Sequence, residues 1–193
     1  MSSLLFTSLA LFIPANTLVA KNVCDTIALK HDSMTVGNPI LPGFHADPEI
    51  LYSNKTGKYY IYSTTDGIPG WGGYKYYVYS SADLKTWKNE GVALDASTDQ
   101  ISWANGNLWA PAAIEVKQKN GSYKYYLYFS ARPNDNGRKQ MGVAVSDSPT
   151  GPFVDLGKPL LAKNHPGCHG QLIDVDVFID PVSNKPYLYW GNS

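Results

Sequence analysis

Cysteine and histidine are scarce in this sequence of 193 residues, which contains two Cys and four His. Cys24 and Cys168 lie far apart and lack the spacing of metal ligands. They either form one disulfide in an oxidising compartment or remain thiols. The 44% hydrophobic content is enough to bury one sizeable core without a disulfide scaffold. We therefore predict a single globular domain with no metal site and no cofactor.

A surplus of charge of either sign is also absent. The 16 Lys and Arg balance the 16 Asp and Glu, and the basic residues are scattered along the chain. Proteins that bind a phosphate backbone normally gather such residues into a patch or stripe. We therefore predict no nucleic-acid partner, and we predict a monomer.

The sequence lacks a hydrophobic run long enough to span a bilayer. The apolar run at residues 9–13 is followed at once by a proline and polar residues, so the stretch is too short for a transmembrane helix. It is typical of a secretory signal at residues 1–20, cleaved near Ala20. The prediction is a secreted, extracellular protein with an N-terminal extension at 21–37, a domain at 38–193 and no membrane association.

Sustained helical periodicity is missing too, and short runs rich in Tyr, Val, Ile and Phe alternate with Gly, Asn, Asp and Pro. This pattern predicts an all-β fold. Three segments resemble one another, each a strand, a polar turn and a second strand. They are Asp47-Pro-Glu-Ile-Leu-Tyr with Lys58-Tyr-Tyr-Ile-Tyr-Ser, Ala110-Pro-Ala-Ala-Ile-Glu with Lys124-Tyr-Tyr-Leu-Tyr-Phe-Ser, and Asp174-Val-Asp-Val-Phe-Ile with Lys185-Pro-Tyr-Leu-Tyr-Trp.

The three segments recur at a nearly constant spacing. Their first residues are 63 residues apart (47 to 110) and then 64 (110 to 174). A fixed period of this kind indicates repeated supersecondary units. In the first two units a third strand, a Ser/Asp turn and a closing aromatic, Trp87 or Phe153, follow, so we predict β-propeller blades of four strands. The chain then covers about two and a half blades, and a complete β-sandwich is the less favoured alternative.

Carboxylates recur at the start of these units. Asp47 and Asp174 occupy matching positions, whereas the second unit has Ala110 there. If the first strands line a central channel, two carboxylates point towards one axis. Glycosidic bonds are canonically cleaved by a pair of carboxyl groups, one protonated and one ionised. The pattern therefore favours a glycosidase.

Aromatic residues are abundant, with 14 Tyr and 5 Trp. Their flat faces can stack on sugar rings, although strand cores also favour aromatics. Trp71, in a glycine-rich loop, and Trp109 are the candidate stacking platforms, with Phe44 as a further substrate contact and Trp103 as a weaker candidate. His45 either binds a sugar hydroxyl or satisfies backbone groups in a turn.

Three motifs resemble those of glycoside hydrolase family 43 in the same order. They are Gly43-Phe-His-Ala-Asp-Pro-Glu49, Trp109-Ala-Pro111 and Leu172-Ile-Asp-Val-Asp-Val-Phe178. The resemblance covers residues 38–193. It implies a five-bladed propeller, truncated here, that acts on polysaccharides containing arabinose or xylose. It does not distinguish arabinose from xylose specificity, or exo from endo action.

The resemblance also implies roles for individual residues. Asp47 matches the general base, which activates water for attack with inversion. Asp174 matches the aspartate that orients the general acid and adjusts its pKa, with Asp176 as its rival. The family's acid is a Glu on a later blade, and the last Glu here, Glu115, is predicted to lie on the opposite strand face in a solvated or structural role.

The predicted protein is thus an inverting glycoside hydrolase whose acid lies outside these 193 residues, so that the chain alone is inactive. Two alternatives remain open at this point. One is a sugar-binding propeller relic that no longer catalyses. The other is a gene-model fragment, because an unclosed propeller exposes a strand edge and an uncovered blade face.

Overall fold

The computed structural model describes residues 38–192. The predicted signal at 1–20, the extension at 21–37 and Cys24 lie outside the described residues. Inside them the chain forms β-strands and one short 3₁₀ helix, which confirms the all-β prediction. No helix in this stretch is both long and apolar enough to cross a membrane.

Two sheets have four strands each, and every neighbouring pair is antiparallel and follows chain order. Sheet one comprises β1 (His45–Ser53), β2 (Lys58–Thr65), β3 (Lys75–Ser81) and β4 (Lys88–Asp95). Sheet two comprises β5 (Ala104–Lys117), β6 (Tyr123–Pro133), β7 (Gln140–Ser146) and β8 (Val154–Asp155). Sheet three pairs β9 (Leu172–Ile179) with β10 (Pro186–Asn192). The predicted four strands per unit are therefore present in the first two units.

Successive side chains of these strands alternate between more and less buried positions. In β3, Tyr76 and Val78 are fully buried while Tyr77 and Tyr79, one residue on, are only partly buried. This period of two is what a pleated strand imposes. The 3₁₀ helix, Pro69–Trp71, interrupts the loop between β2 and β3 and carries an exposed tryptophan.

Apolar side chains fill the spaces between successive sheets. A large cluster joins sheets one and two and includes Tyr62, Tyr76, Leu108, Leu127 and Phe129. A smaller cluster joins sheets two and three and includes Ala112, Met141, Cys168, Leu172 and Val175. Because β5 contacts both β1 and β9, the first strands of the three sheets lie side by side. This arrangement brings the start of each repeat to one region of the molecule.

Candidate active site

The first strand of every sheet carries a bulge at the repeat position. Asp47, Ala110 and Asp174 all have positive φ, at 46°, 44° and 55°. The strand register shifts at each of them. A left-handed backbone costs a non-glycine residue roughly 1–2 kcal/mol, and bulges redirect side chains next to active sites. The repeated strain marks this ring of positions as the candidate site.

Asp47 is exposed and is held by one neighbouring hydroxyl. Thr64, on β2, donates from Oγ1 to Asp47 Oδ2 at 3.2 Å. The same Oγ1 accepts the backbone N–H of Ala110 at 2.9 Å. Thr64 is itself buried. One hydroxyl therefore fixes the Asp47 carboxylate and ties sheet one to the bulge of sheet two.

The positions equivalent to Thr64 differ in the other two sheets. Ser130 lies opposite Trp109, and its buried Oγ has no hydrogen-bond partner among residues 38–192. In sheet three the equivalent residue is Gly191, where a Cβ atom would lie 3.3 Å from Asp174 Oδ2. Glycine thus leaves room for the exposed Asp174 carboxylate, while Ala110 leaves the Ser130 hydroxyl without an acceptor.

A second pair of carboxyl groups lies two residues further along β1 and β9. Burial, with a smaller contribution from the negative charge of Asp176, raises the pKa of Glu49 to about 7 against the opposing effect of the hydrogen bond from the Ala113 N–H. Asp176 accepts a hydrogen bond from the Val177 N–H at 2.7 Å. Asp176, the rival of Asp174, therefore acts electrostatically on Glu49.

The predicted aromatic platforms meet in space. The rings of Trp71 and Trp109 pack edge to face with centroids 6.4 Å apart. Trp109 Nε1 and Asn107 Nδ2 both donate to the Trp71 carbonyl oxygen, each at 2.8 Å. Trp71 is 74% exposed, and Phe44 is 73% exposed. Both are open to a ligand, whereas Trp109 is half-buried.

Both ring nitrogens of His45 are engaged inside the protein. Nε2 donates to the Pro42 carbonyl and Nδ1 pairs with the Ser63 hydroxyl, each at 2.9 Å. The ring also packs edge to face against Tyr79. These contacts favour a structural role for His45 over the binding of a sugar hydroxyl.

Glu115 is a structural anchor. Its carboxylate accepts hydrogen bonds from Ser53 Oγ, from Tyr125 Oη at 2.8 Å and from the Asn54 backbone N–H at 2.8 Å. Burial works to raise its pKa, but these hydrogen bonds outweigh burial and lower it. The group is held ionised between sheets one and two, as the structural role predicts.

Trp103, the weaker platform candidate, is a packing residue. Its ring stacks on Phe129 with centroids 5.9 Å apart, and its Nε1 donates to Asp155 at 3.1 Å. Among residues 38–192, no three His, Cys, Asp or Glu side chains are grouped so that they could hold a metal ion.

Sequence reasoning missed three residues at this site: Thr64, Glu49 and Lys139. Aligning the second strands of the repeats would have found Thr64, because Ser130 stands at its equivalent position. Lys139 belongs to no motif, yet its Nζ lies 3.5 Å from the centre of the Trp109 ring. Only the folded chain reveals that contact.

Two curated relatives of this chain carry the names of enzymes that act on arabinose- or xylose-containing substrates. The chain is 35% identical over 173 residues to an arabinoxylan arabinofuranohydrolase of Bacillus subtilis, covering 76% of this chain and 31% of that protein. It is 35% identical to a xylosidase/arabinosidase of Bacteroides ovatus, covering 79% of this chain and 45% of that protein. The chain thus spans less than half the length of these two relatives.

Solved structures agree in fold. A family-43 β-xylosidase/α-arabinofuranosidase from a compost microbial metagenome, in complex with xylotriose, superposes with a TM-score of 0.62 at 35% identity, covering 79% of this chain and 44% of that one. A family-43 enzyme of Xanthomonas citri complexed with xylose gives 0.63 at 33% identity, with coverages of 81% and 43%. The family model for glycosyl hydrolases family 43 matches residues 36–193. This chain therefore belongs to glycosyl hydrolase family 43.

Proposed function

We propose that the protein carrying this chain is an inverting glycoside hydrolase that cleaves O-glycosidic bonds in plant cell-wall polysaccharides containing arabinose or xylose. The observation that supports it best is the bulge shared by Asp47 and Asp174, which presents two exposed carboxylates from the first strands on either side of β5. The named activities of the relatives, on arabinoxylan and on xylosides, support the substrate class.

Asp47 is the proposed general base. The Thr64 hydroxyl binds Asp47 Oδ2, which leaves Oδ1 to accept a proton from the attacking water. As the water loses its proton to Asp47, its oxygen bonds to the anomeric carbon from the face opposite the leaving sugar. This displacement inverts the configuration at that carbon.

Asp174 is the proposed partner of the general acid. Its negative charge favours the protonated form of a neighbouring carboxyl group, which can then protonate the leaving oxygen. The hydrogen bonds that Glu115 accepts from Ser53, Tyr125 and Asn54 argue against Glu115 as that acid. We assign the acid to a Glu on a later blade of the complete enzyme.

We also propose that the protein is secreted and monomeric. The apolar segment within residues 1–20 supports export. A polymeric substrate outside the cell requires an exported enzyme.

The test is the substitution Asp47→Asn in the complete enzyme, assayed on aryl α-L-arabinofuranoside and aryl β-D-xyloside. We expect hydrolysis to fall by roughly three orders of magnitude or more, since a base supplies about 10²–10⁴-fold. Asp99→Asn, an exposed loop aspartate, is the matched control. Proton NMR of the first-formed product reports the anomer, and retained configuration or an active Asp47→Asn enzyme would contradict the proposal.

A sugar-binding protein without hydrolysis is the second candidate, favoured by the 74% exposure of the Trp71 ring. Titration with xylotriose separates the two. Binding without turnover in the complete protein, unchanged by Asp47→Asn, supports the second candidate over the first.

A further inference from the structure

We propose that Lys139 is a positioning residue, whose ammonium group holds the Trp109 ring and, through Asn107, the Trp71 loop in the arrangement that receives a sugar ring. The inference rests on the proposed sugar-binding role of the two tryptophans. Lys139 does not itself touch the sugar.

Lys139 joins all three sheets. Its backbone N–H donates to Gln171 Oε1 at 2.6 Å, and its carbonyl accepts the Leu172 N–H at 3.3 Å, which pins it to the start of sheet three. Its Nζ donates to the Asn107 carbonyl at 2.9 Å, on β5 of sheet two. Asn107 in turn reaches the loop of sheet one.

The side chain is buried, with 6% of its surface exposed, and its ammonium lies over the face of Trp109. Among residues 38–192 it makes no ion pair with a carboxylate. Burial, and secondly the positive charge of Arg132, lower the pKa of Lys139 to about 7. A buried ammonium without a counter-charge is costly, and an apolar chain such as Met would fill similar space without that cost. The compensating contact is the indole ring.

Four residues form a closed circuit. Lys139 binds the Asn107 carbonyl, and Asn107 Nδ2 binds the Trp71 carbonyl. Trp109 Nε1 binds that same carbonyl, and the Trp109 ring lies against the Lys139 ammonium. Removing the Lys139 side chain therefore uncovers one face of the Trp109 ring and leaves the Asn107 carbonyl without its donor.

The Trp71 loop needs this external support. Trp71 has a φ of 59°, a left-handed conformation that is unfavourable for a tryptophan. Such conformations persist only where surrounding contacts impose them. The two donors to its carbonyl, from Asn107 and Trp109, are those contacts. Without Lys139, both donors become free to shift and the exposed Trp71 ring loses its fixed orientation.

The experiment compares Lys139→Met, Lys139→Gln and Lys139→Arg in the complete enzyme, with Lys158→Met, an exposed lysine, as control. Met removes the cation, Gln keeps a donor for the Asn107 carbonyl, and Arg keeps the cation. With xylotriose and arabinotriose as probes, we expect KM and the dissociation constant to rise about tenfold or more for Met and Gln. We expect kcat to stay within threefold, and Arg to restore much of the affinity. Effects confined to kcat, or equal losses for all three variants, would overturn the proposal.

A spectroscopic measurement keeps this inference separate from the proposed function. The near-ultraviolet circular dichroism of the unliganded protein includes a contribution from the packing of Trp71 against Trp109. The difference between the spectra of the wild type and a Trp71→Ala variant isolates that contribution. We expect Lys139→Met and Lys139→Gln to weaken that signal while far-ultraviolet dichroism is unchanged. If the signal changes but no sugar binds even the wild type, the proposed function fails and the positioning role survives. An unchanged signal in both folded variants rejects the positioning role.

A double-mutant cycle tests whether Lys139 acts through the platform. In a Trp71→Ala background, Lys139→Met should raise the dissociation constant of xylotriose by less than threefold, because the group that it positions is gone. Full additivity of the two substitutions would mean that Lys139 contacts the sugar directly, and would contradict the proposal.

Discussion

The Thr64 hydroxyl donates a hydrogen bond to the Asp47 carboxylate at 3.2 Å. It is also the acceptor for the Ala110 N–H, so it couples the proposed base to the neighbouring sheet. Thr64→Val removes both contacts and leaves a buried N–H unsatisfied, at a cost of about 1–3 kcal/mol in the free energy of unfolding. We expect kcat/KM to fall roughly 10- to 100-fold, since small displacements of a catalytic group have effects of this size.

Thr64→Ser is the matched control, because it keeps the hydroxyl. Steady-state kinetics and urea unfolding of both variants provide the measurement. A Thr64→Val enzyme with wild-type kcat/KM would mean that Asp47 needs no such partner.

The second repeat has Ala110 where the other two repeats have an aspartate. Adding an acceptor at this position tests whether it would bind the Ser130 hydroxyl. Its Oγ is buried without a partner in the described part of the chain, and Ala110 has a left-handed φ of 44°. Ala110→Asn supplies an acceptor, and Asn tolerates that conformation better. We expect a gain of about 1 kcal/mol in the free energy of unfolding, together with weaker substrate binding because a larger side chain enters the site.

The gain should require the Ser130 hydroxyl. Ser130→Ala alone should raise stability slightly, because it removes a buried hydroxyl that has no partner among residues 38–192. In the Ala110→Asn background the same substitution should cancel much of the gain. Chemical unfolding of the four proteins measures the coupling, and strict additivity would show that the two side chains do not meet.

Glu49 makes stability depend on pH in the acidic range. Its folded pKa is about 7 and its ordinary value 4.5, so the folded state holds a proton that the unfolded state has released between these values. Its contribution is fully present below pH 4.5 and is lost as pH rises through 7, by on the order of 2 kcal/mol. Glu49→Gln should remove this difference between unfolding at pH 5 and at pH 8. A pH profile identical to that of the wild type would contradict the burial of this carboxyl.

Lys139 should make the free energy of unfolding rise with pH above about pH 7, opposite to the effect of Glu49. Its folded pKa is about 7 against 10.5, so the unfolded state binds more protons between these values and stability rises with pH there. Between pH 6.5 and 9.5 the contribution of Lys139 to the free energy of unfolding should change by about 3 kcal/mol. Comparing unfolding of the wild type and Lys139→Met isolates this contribution, and a difference that does not vary with pH would contradict it.

Glu115→Gln should reduce stability without changing the chemistry. Hydrogen bonds lower the pKa of Glu115 below 4.5, so its stabilising contribution is present above that value and is lost as pH falls through the folded pKa. We expect a loss of about 2 kcal/mol at pH 7, since bonds to a charged group are involved. Below its melting temperature the variant should keep wild-type kcat, and a loss of kcat of two orders of magnitude would instead support Glu115 as the acid.

Local pattern was enough to predict the repeats. The segments beginning at Asp47, Ala110 and Asp174 were predicted as matching first strands, and each has a bulge with positive φ in the structure. Alternation of aromatic and polar residues specifies strands, and turn residues specify where they reverse. Both signals extend over a few neighbouring residues, so they can be recognised without the fold.

The sequence by itself determined the all-β class, the four-stranded units and the positions of the carboxylates, because these depend on short-range periodicity. Only the tertiary structure decided which side chains meet. Thr64 and Ala110 are 46 residues apart, Asn107 and Trp71 36, and Lys139 and Asn107 32. The raised pKa of Glu49 likewise depends on burial and on Asp176 from another sheet. Such contacts and electrostatic effects arise from the packing of one sheet against the next, which no local pattern encodes.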